Sequence, residues 1–302
     1  MGVCKGGFGV NKTRIDWCDM TYNPVTGCLH GCKYCYARKI AGRFGNKYLP
    51  YGSGINVLET PIDGESGIDP YPFGFEPTFH RYRLDEPGTQ KRSRNIFVCS
   101  MADLFGEWVP DSWIEEVFKA CEAAPQHRYL FLTKNPKRYG QINGWDHRYD
   151  YGYAKSNWWL GMTITGGSDI INLKHLPYVK ANTFISIEPI ESEIKLSPYL
   201  PAAHTKYKCS YCGRLADKYS LYCSFCGKEG GYSGSFRKRP INWVVIGAET
   251  GNRKDKVIPK REWIYSIANE CKESEIPLFM KSSLRELMGD DFIQQFPWEV
   301  QK

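Results

Sequence analysis

The chain has 302 residues, 42% of them hydrophobic and 24% charged, enough to bury one large domain or two small ones and too apolar for wholesale disorder. Its 40 basic residues against 33 acidic ones leave a net charge of +7, which suits a polyanionic partner without requiring one. No apolar run reaches the ~18 residues of a membrane span, and Met1-Gly2-Val3-Cys4-Lys5 lacks a signal-peptide core, so a cytoplasmic protein with no membrane partner is expected.

In chain order, residues 12–17 read as a short first strand that leads through Asn23-Pro24-Val25-Thr26-Gly27 into Cys28-Leu29-His30-Gly31-Cys32-Lys33-Tyr34-Cys35-Tyr36. The cysteines Cys28, Cys32 and Cys35 stand as C-x3-C-x2-C. Three soft thiolates so close together can wrap one cube of iron and sulfide and leave its fourth iron open. Structural zinc is the competing reading, with His30 as the fourth ligand, although zinc ligands usually come as two close pairs. Buried free thiols are the third. A helix is expected at 35–44. Residues 45–94, rich in Gly, Pro, Tyr and charge, read as a long irregular excursion that serves as a lid or substrate loop.

From Asn95 a rhythm begins. Short apolar runs at 95–101, 128–133, 157–164, 182–188, 242–248 and 276–280 read as strands buried on both faces. Helical patterns lie between them at 111–123, where Asp111 or Ser112 is the expected cap, and at 260–272. Alternation of strand and helix implies parallel strands joined by crossovers, a series that curls toward a barrel.

The interval from Asn182 to Asn242 is about twice the usual repeat and holds an insert. It carries Cys209-Ser-Tyr-Cys212-Gly213 and Cys223-Ser-Phe-Cys226-Gly227. Two C-x2-C pairs, each followed by glycine, fit two knuckles around one tetrahedral zinc; an auxiliary iron–sulfur cluster is the alternative. Such a knuckle is most often a structural replacement for a missing core, and this one also stands among basic and aromatic residues that suit phosphates and bases. The other five of the twelve cysteines are scattered, so the thiols are expected to be reduced. The division expected is 1–200 for the first part of a barrel, 201–240 for the insert, and 241–302 for barrel completion and a C-terminal extension.

The C-x3-C-x2-C loop, with the aromatic Tyr34 before its third cysteine, resembles the signature of the radical S-adenosylmethionine (SAM) superfamily. Ile15-Asp16-Trp17, Phe97-Val98-Cys99-Ser100-Met101-Ala102-Asp103-Leu104-Phe105, Phe131-Leu132-Thr133-Lys134, Trp159-Leu160-Gly161, Ser186-Ile187-Glu188-Pro189 and Trp243-Val244-Val245-Ile246-Gly247-Ala248-Glu249-Thr250-Gly251 are similar to a phage-associated branch of it, itself distantly similar to spore photoproduct lyase, which acts on thymine in DNA. The resemblance spans nearly the whole chain apart from 45–94 and the cysteine insert, the parts that would choose a substrate.

The resemblance implies an α/β fold, a partial (β/α)6 TIM-like radical SAM barrel, holding a [4Fe-4S] cluster on Cys28, Cys32 and Cys35 together with SAM. It further implies an electron donor such as flavodoxin or ferredoxin and, if phage-encoded, residence in the host cytoplasm. In such barrels ligands sit at the carboxyl ends of the strands. Ser100 and Asp103 would take the amino group of SAM, Lys134 its carboxylate, and Thr163 or Ser186 with Glu188 its ribose; Gly247 would let backbone approach the adenine, and Tyr34 belongs to the same site. Each also reads as an ordinary capped helix or satisfied strand end. The activity implied is modification of a thymidine in phage DNA or of a modified nucleotide, most sharply an isomerase that moves an amino-acid adduct from nitrogen to carbon linkage. A lyase that consumes SAM is the rival; there Cys99 would be the hydrogen donor, where a buried apolar thiol is the bland reading. A non-catalytic nucleic-acid-binding protein with zinc in both cysteine groups is the third.

Overall fold

The computed structural model describes residues 11–45, 55–64, 67–142, 155–178, 182–200, 207–216, 225–228, 232–233 and 241–299. The chain divides into two compact units, Met1–Met162 and Thr163–Lys302. Among the described residues no helix is long and apolar enough to cross a membrane.

The first unit is built on the parallel strands Met20–Tyr22, Asn95–Val98, Arg128–Thr133 and Trp158–Ile164, neighbours in that order, the last of which runs two residues past the unit's end at Met162. Tyr22 stands opposite Val98, Val98 opposite Phe131 and Phe131 opposite Leu160. Their side chains are buried on both faces, which is why these runs lack a polar alternation. The helix Asp111–Ala123 crosses between two of the strands and buries Trp113, Ile114, Val117, Phe118 and Cys121. Its Phe118 packs on Phe131 at 5.4 Å and Trp158 at 4.9 Å between ring centroids.

Two sequence expectations need correction here. The first strand of the parallel set is Met20–Tyr22, not residues 12–17; Asn11–Lys12 only adds an antiparallel edge to it. Pro110, not Asp111 or Ser112, stands at the cap of the helix, and the Asp111 carboxylate accepts a 2.6 Å bond from Arg138 instead. A distant guanidinium outcompetes the local amides for that carboxylate.

The excursion at 45–94 is more ordered over its described residues than its composition suggests. Thr78–His80 pairs antiparallel with Val25–Thr26 and parallel with Asn56–Leu58, and a small hairpin joins Asp63–Gly64 to Gly67–Ile68. Phe79 is fully buried in this sheet. His80 is also buried, with Nε2 bonded to Thr26 Oγ1 at 2.9 Å and Nδ1 to the Tyr82 hydroxyl at 3.2 Å. Burial pushes its imidazole down to about 2 and keeps it neutral. Through Thr78–His80 this segment braces the strand that precedes the cysteine loop.

The second unit carries the parallel strands Asn182–Ile187, Trp243–Ile246 and Leu278–Met280. Trp243 is the centre of its core, with Phe184, Phe279, Phe296 and Trp298 around the indole. The helix Arg261–Glu273 buries Ile264, Ile267 and Cys271. Ahead of these strands runs a 3-10 segment, Gly167–Tyr178, where an α-helix would be the usual crossover. The insert forms a sheet of its own, in which Tyr207–Cys209 lies between Leu215–Ala216 and Tyr232–Ser233. Both units are thus α/β with parallel strands.

Candidate metal and cofactor centre

Gly27 delivers the chain from the small sheet into the cysteine loop. Its φ of +83° and a Cβ position only 2.1 Å from the Glu76 carbonyl oxygen admit no other residue without displacement. Its amide donates to the Met101 carbonyl at 3.0 Å, which fixes the loop to the turn after strand Asn95–Val98. The Cys28 amide then donates to Phe75 O at 3.3 Å, and the Cys28 carbonyl accepts from Arg38 at 3.1 Å. Cys35 caps the helix Tyr36–Phe44, its sulfur accepting from the Arg38 amide at 3.3 Å.

Cys28 and Cys35 rest against a buried apolar cluster of Ala37, Ala41, Phe75 and Met101, while all three loop cysteines keep partial access to solvent. Burial pushes the Cys28 thiol up to about 12. Three soft donors on a short loop, one side apolar and one side open, suit an iron–sulfur cluster; hard cations would want oxygen.

The strand ends of the first unit meet this loop. Asp103 is buried, and each of its carboxylate oxygens accepts two bonds: Oδ1 from Phe105 N at 3.0 Å and Thr133 Oγ1 at 2.7 Å, Oδ2 from Lys134 N at 2.9 Å and His30 Nε2 at 2.7 Å. A carboxylate has about four acceptor sites, so Asp103 is saturated by the protein and acts as the hub that holds His30. The His30 ring also meets the edge of Trp108 at 4.9 Å. Lys134 reaches the other side of the loop, its Nζ donating to the Tyr34 hydroxyl at 2.8 Å. Ser100 donates from Oγ to Asn23 Oδ1 at 3.1 Å, and its carbonyl accepts from Tyr36 at 2.6 Å. Tyr34, Ser100, Asp103 and Lys134 are therefore gathered with the cysteine loop.

Sequence reading missed His30 as a partner of Asp103, and Asn23 as the brace that also accepts from the Met101 amide at 3.0 Å. The asparagine before a proline at Asn23-Pro24 is the one local signal that could have drawn attention to the second. Cys99 follows its strand with φ +56° and is buried; burial pushes its thiol up to about 12. It lies near the equally buried Cys121 and Tyr22, the surroundings of a packed apolar thiol.

The second unit holds the other expected contacts. Thr163 is half-buried. Ser186 is fully buried, and its hydroxyl has no hydrogen-bond partner among the described residues. Glu188 forms an ion pair with Lys281, whose side chain passes 3.0 Å from where a Cβ on Gly247 would stand. The close approach expected at Gly247 is thus made by a lysine of the same unit. Beside it, Glu249 holds Arg253 through three bonds at 2.9, 3.2 and 2.7 Å, which push the guanidinium pKa up.

In the insert, the ligand atoms of Cys209, Cys212 and Cys226 all lie within 4.8 Å of one another; Cys223, the expected fourth ligand, is outside the described residues. Gly213 and Gly227 both take the left-handed turn, with φ of +70° and +68°. The Gly213 amide closes its knuckle on the Cys209 carbonyl at 2.8 Å. Sulfurs gathered this tightly fit a single tetrahedral ion such as zinc.

Fold and site together define an α/β chain with a three-cysteine loop at its strand ends and a second cysteine group on an insert. The chain belongs to the family described as "Protein of unknown function (DUF5131)", whose model matches residues 12–286. No curated protein matches it. Among solved structures, spore photoproduct lyase complexed with dinucleoside spore photoproduct is similar at 14% identity and a TM-score of 0.41, over 63% of this chain and 50% of that one. A double mutant of the lyase with bound AdoMet and dinucleoside spore photoproduct gives 13% identity and 0.40, over 64% and 52%. The chain spans about half the length of these structures.

Proposed function

We propose that this protein is a radical SAM enzyme that modifies nucleic acid, with a [4Fe-4S] cluster on Cys28, Cys32 and Cys35. The observation that carries the reading is the three-cysteine loop itself, seated on an apolar cluster and tied to the strand ends through Tyr34–Lys134 and His30–Asp103. When bound, cluster and SAM supply one-electron cleavage of the sulfonium and a carbon-centred radical that removes hydrogen from a substrate.

The chain's own residues have separate tasks in this reading. Lys134 presents a cation beside the loop for a carboxylate, and Tyr34 holds that ammonium in place. Asp103 keeps His30 and the Lys134 backbone fixed and has no free oxygen to offer an amino group, so Ser100 is the better partner of the two. On sequence grounds we retain Thr163, Ser186, Glu188 and Gly247 as proposed ribose and adenine contacts, closure of the strands toward a partial (β/α)6 barrel, and zinc on the insert.

In its sharpest form the reaction is an isomerisation on a hypermodified thymidine of phage DNA, with an amino-acid adduct moved from nitrogen to carbon linkage. An isomer contains every atom of its precursor, so a reaction that gives back the hydrogen it removes would need no protein hydrogen donor and no net consumption of SAM. The packed, protonated thiol of Cys99 accords with that economy. The test is to incubate the anaerobic, reconstituted protein with SAM, a reductant and DNA bearing adducted or plain thymidine, then digest to nucleosides. An isomerase gives a product of unchanged mass and shifted retention with SAM conserved. Consumption of one SAM per product favours the lyase, and unaltered nucleosides in every substrate would refute the nucleic-acid assignment.

A further inference from the structure

We propose that the cysteine insert is a docking platform for single-stranded nucleic acid. Its two half-sites repeat one pattern, Cys209-Ser210-Tyr211-Cys212-Gly213-Arg214 and Cys223-Ser224-Phe225-Cys226-Gly227-Lys228: an aromatic just before the second cysteine, a left-handed glycine just after it, then a cation. The geometry crosses the repeats. The Arg214 guanidinium of the first half-site lies over the Phe225 ring of the second at 5.3 Å, and the Lys228 ammonium of the second lies over the Tyr211 ring of the first at 5.0 Å.

Neither ring is buried: Tyr211 is 58% exposed and Phe225 51%, while the sulfurs of Cys209, Cys212 and Cys226 lie within 4.8 Å of one another. A cation covers one side of each ring, and the exposed remainder offers π-surface to solvent. Exposed rings flanked by fixed cations match a ligand with alternating flat faces and negative charges, which is an unpaired base followed by its phosphate. From 206 to 239 the insert has eight basic residues against two acidic ones, so its charge complements a polyanion. A duplex offers phosphates but hides its base faces; an acidic peptide has no use for two rings. With the function proposed above this inference shares only the class of partner, and it stands without the radical chemistry.

The experiment is fluorescence anisotropy with the full chain and a labelled mixed-sequence DNA strand of about 20 nucleotides, in single-stranded and duplex form, over a range of salt. Zinc content is measured alongside. Tyr211→Ala with Phe225→Ala should weaken single-strand binding by roughly 25-fold or more at unchanged salt slope. Arg214→Gln with Lys228→Gln should flatten the slope of log affinity against log salt by about 1.4, or about 0.7 per cation. If the alanine pair loses its metal, Tyr211→Leu with Phe225→Leu, which keeps apolar bulk without a ring face, decides. Wild-type affinity in the ring-deleted protein, tighter binding of the duplex, or no binding by the native chain would each overturn the proposal. Cys28→Ala, Cys32→Ala and Cys35→Ala together should leave the binding intact, so that failure of the cluster assignment and failure of the platform are read separately.

Discussion

Asp103 is the residue on which the first unit's site turns. Its four bonds tie two backbone amides, Thr133 and His30 to one buried carboxylate, and Asp103→Ala would strand all four donors. We expect a loss of about 3 kcal/mol in urea unfolding, together with faster loss of iron from the reconstituted protein. Gly27→Ala should cost about as much, since a Cβ there meets the Glu76 carbonyl and φ is positive. Glu86 predicts a pH dependence. Burial raises its carboxyl from 4.5 to about 7, so the folded chain keeps a proton that the unfolded chain releases. The stability it contributes is full below pH 4.5 and falls, by about 3 kcal/mol, as pH rises through 7. Thermal melts at pH 5 and 8 should show that fall in the native chain and not in Glu86→Gln. His80 acts oppositely: its depressed pKa places its contribution above 6.5 and removes it as pH falls. At this scale the positions of Ser100, Asp103 and Lys134 after strands were legible, because each follows a strand that its apolar run announces. The sequence did not reveal that Asp103 would be spent on His30, because that bond spans 73 residues and exists only once the loop folds back.

At the scale of elements, legibility followed length and period. The helix Asp111–Ala123 has its expected bounds, since a periodic apolar face leaves little choice once it is buried. Truncation of that face at Phe118, which packs on Phe105, Phe131 and Trp158, should cost about 3–5 kcal/mol, readable as a shifted denaturation midpoint at an unchanged slope. Short elements were the ones misread. Lys12-Thr13-Arg14-Ile15-Asp16-Trp17 has a strand-like alternation, yet the residues that join the parallel set are Met20, Thr21 and Tyr22, chosen by pairing with Ile96, Phe97 and Val98. The same holds in 55–94, where strands of two or three residues form because Val25–Thr26 offers an edge to Thr78–His80, something no local window contains.

For the whole molecule, the two cysteine groups differ in their surroundings. Cys28, Cys32 and Cys35 sit on an open loop against apolar side chains; Cys209, Cys212 and Cys226 are gathered within the reach of one ion. The two groups were distinct in the spacing, C-x3-C-x2-C against paired C-x2-C with glycines, because the spacing of candidate ligands is local and needs nothing from the distant chain. The most direct test of the central claim is metal analysis and visible spectroscopy of the anaerobically reconstituted protein, with SAM cleavage followed under a reductant. The account predicts a brown protein with about four irons and about one zinc per chain that yields 5′-deoxyadenosine, and loss of iron and colour but not zinc when Cys28, Cys32 and Cys35 are replaced by alanine. A colourless protein that holds zinc in both cysteine groups and leaves SAM intact would contradict it.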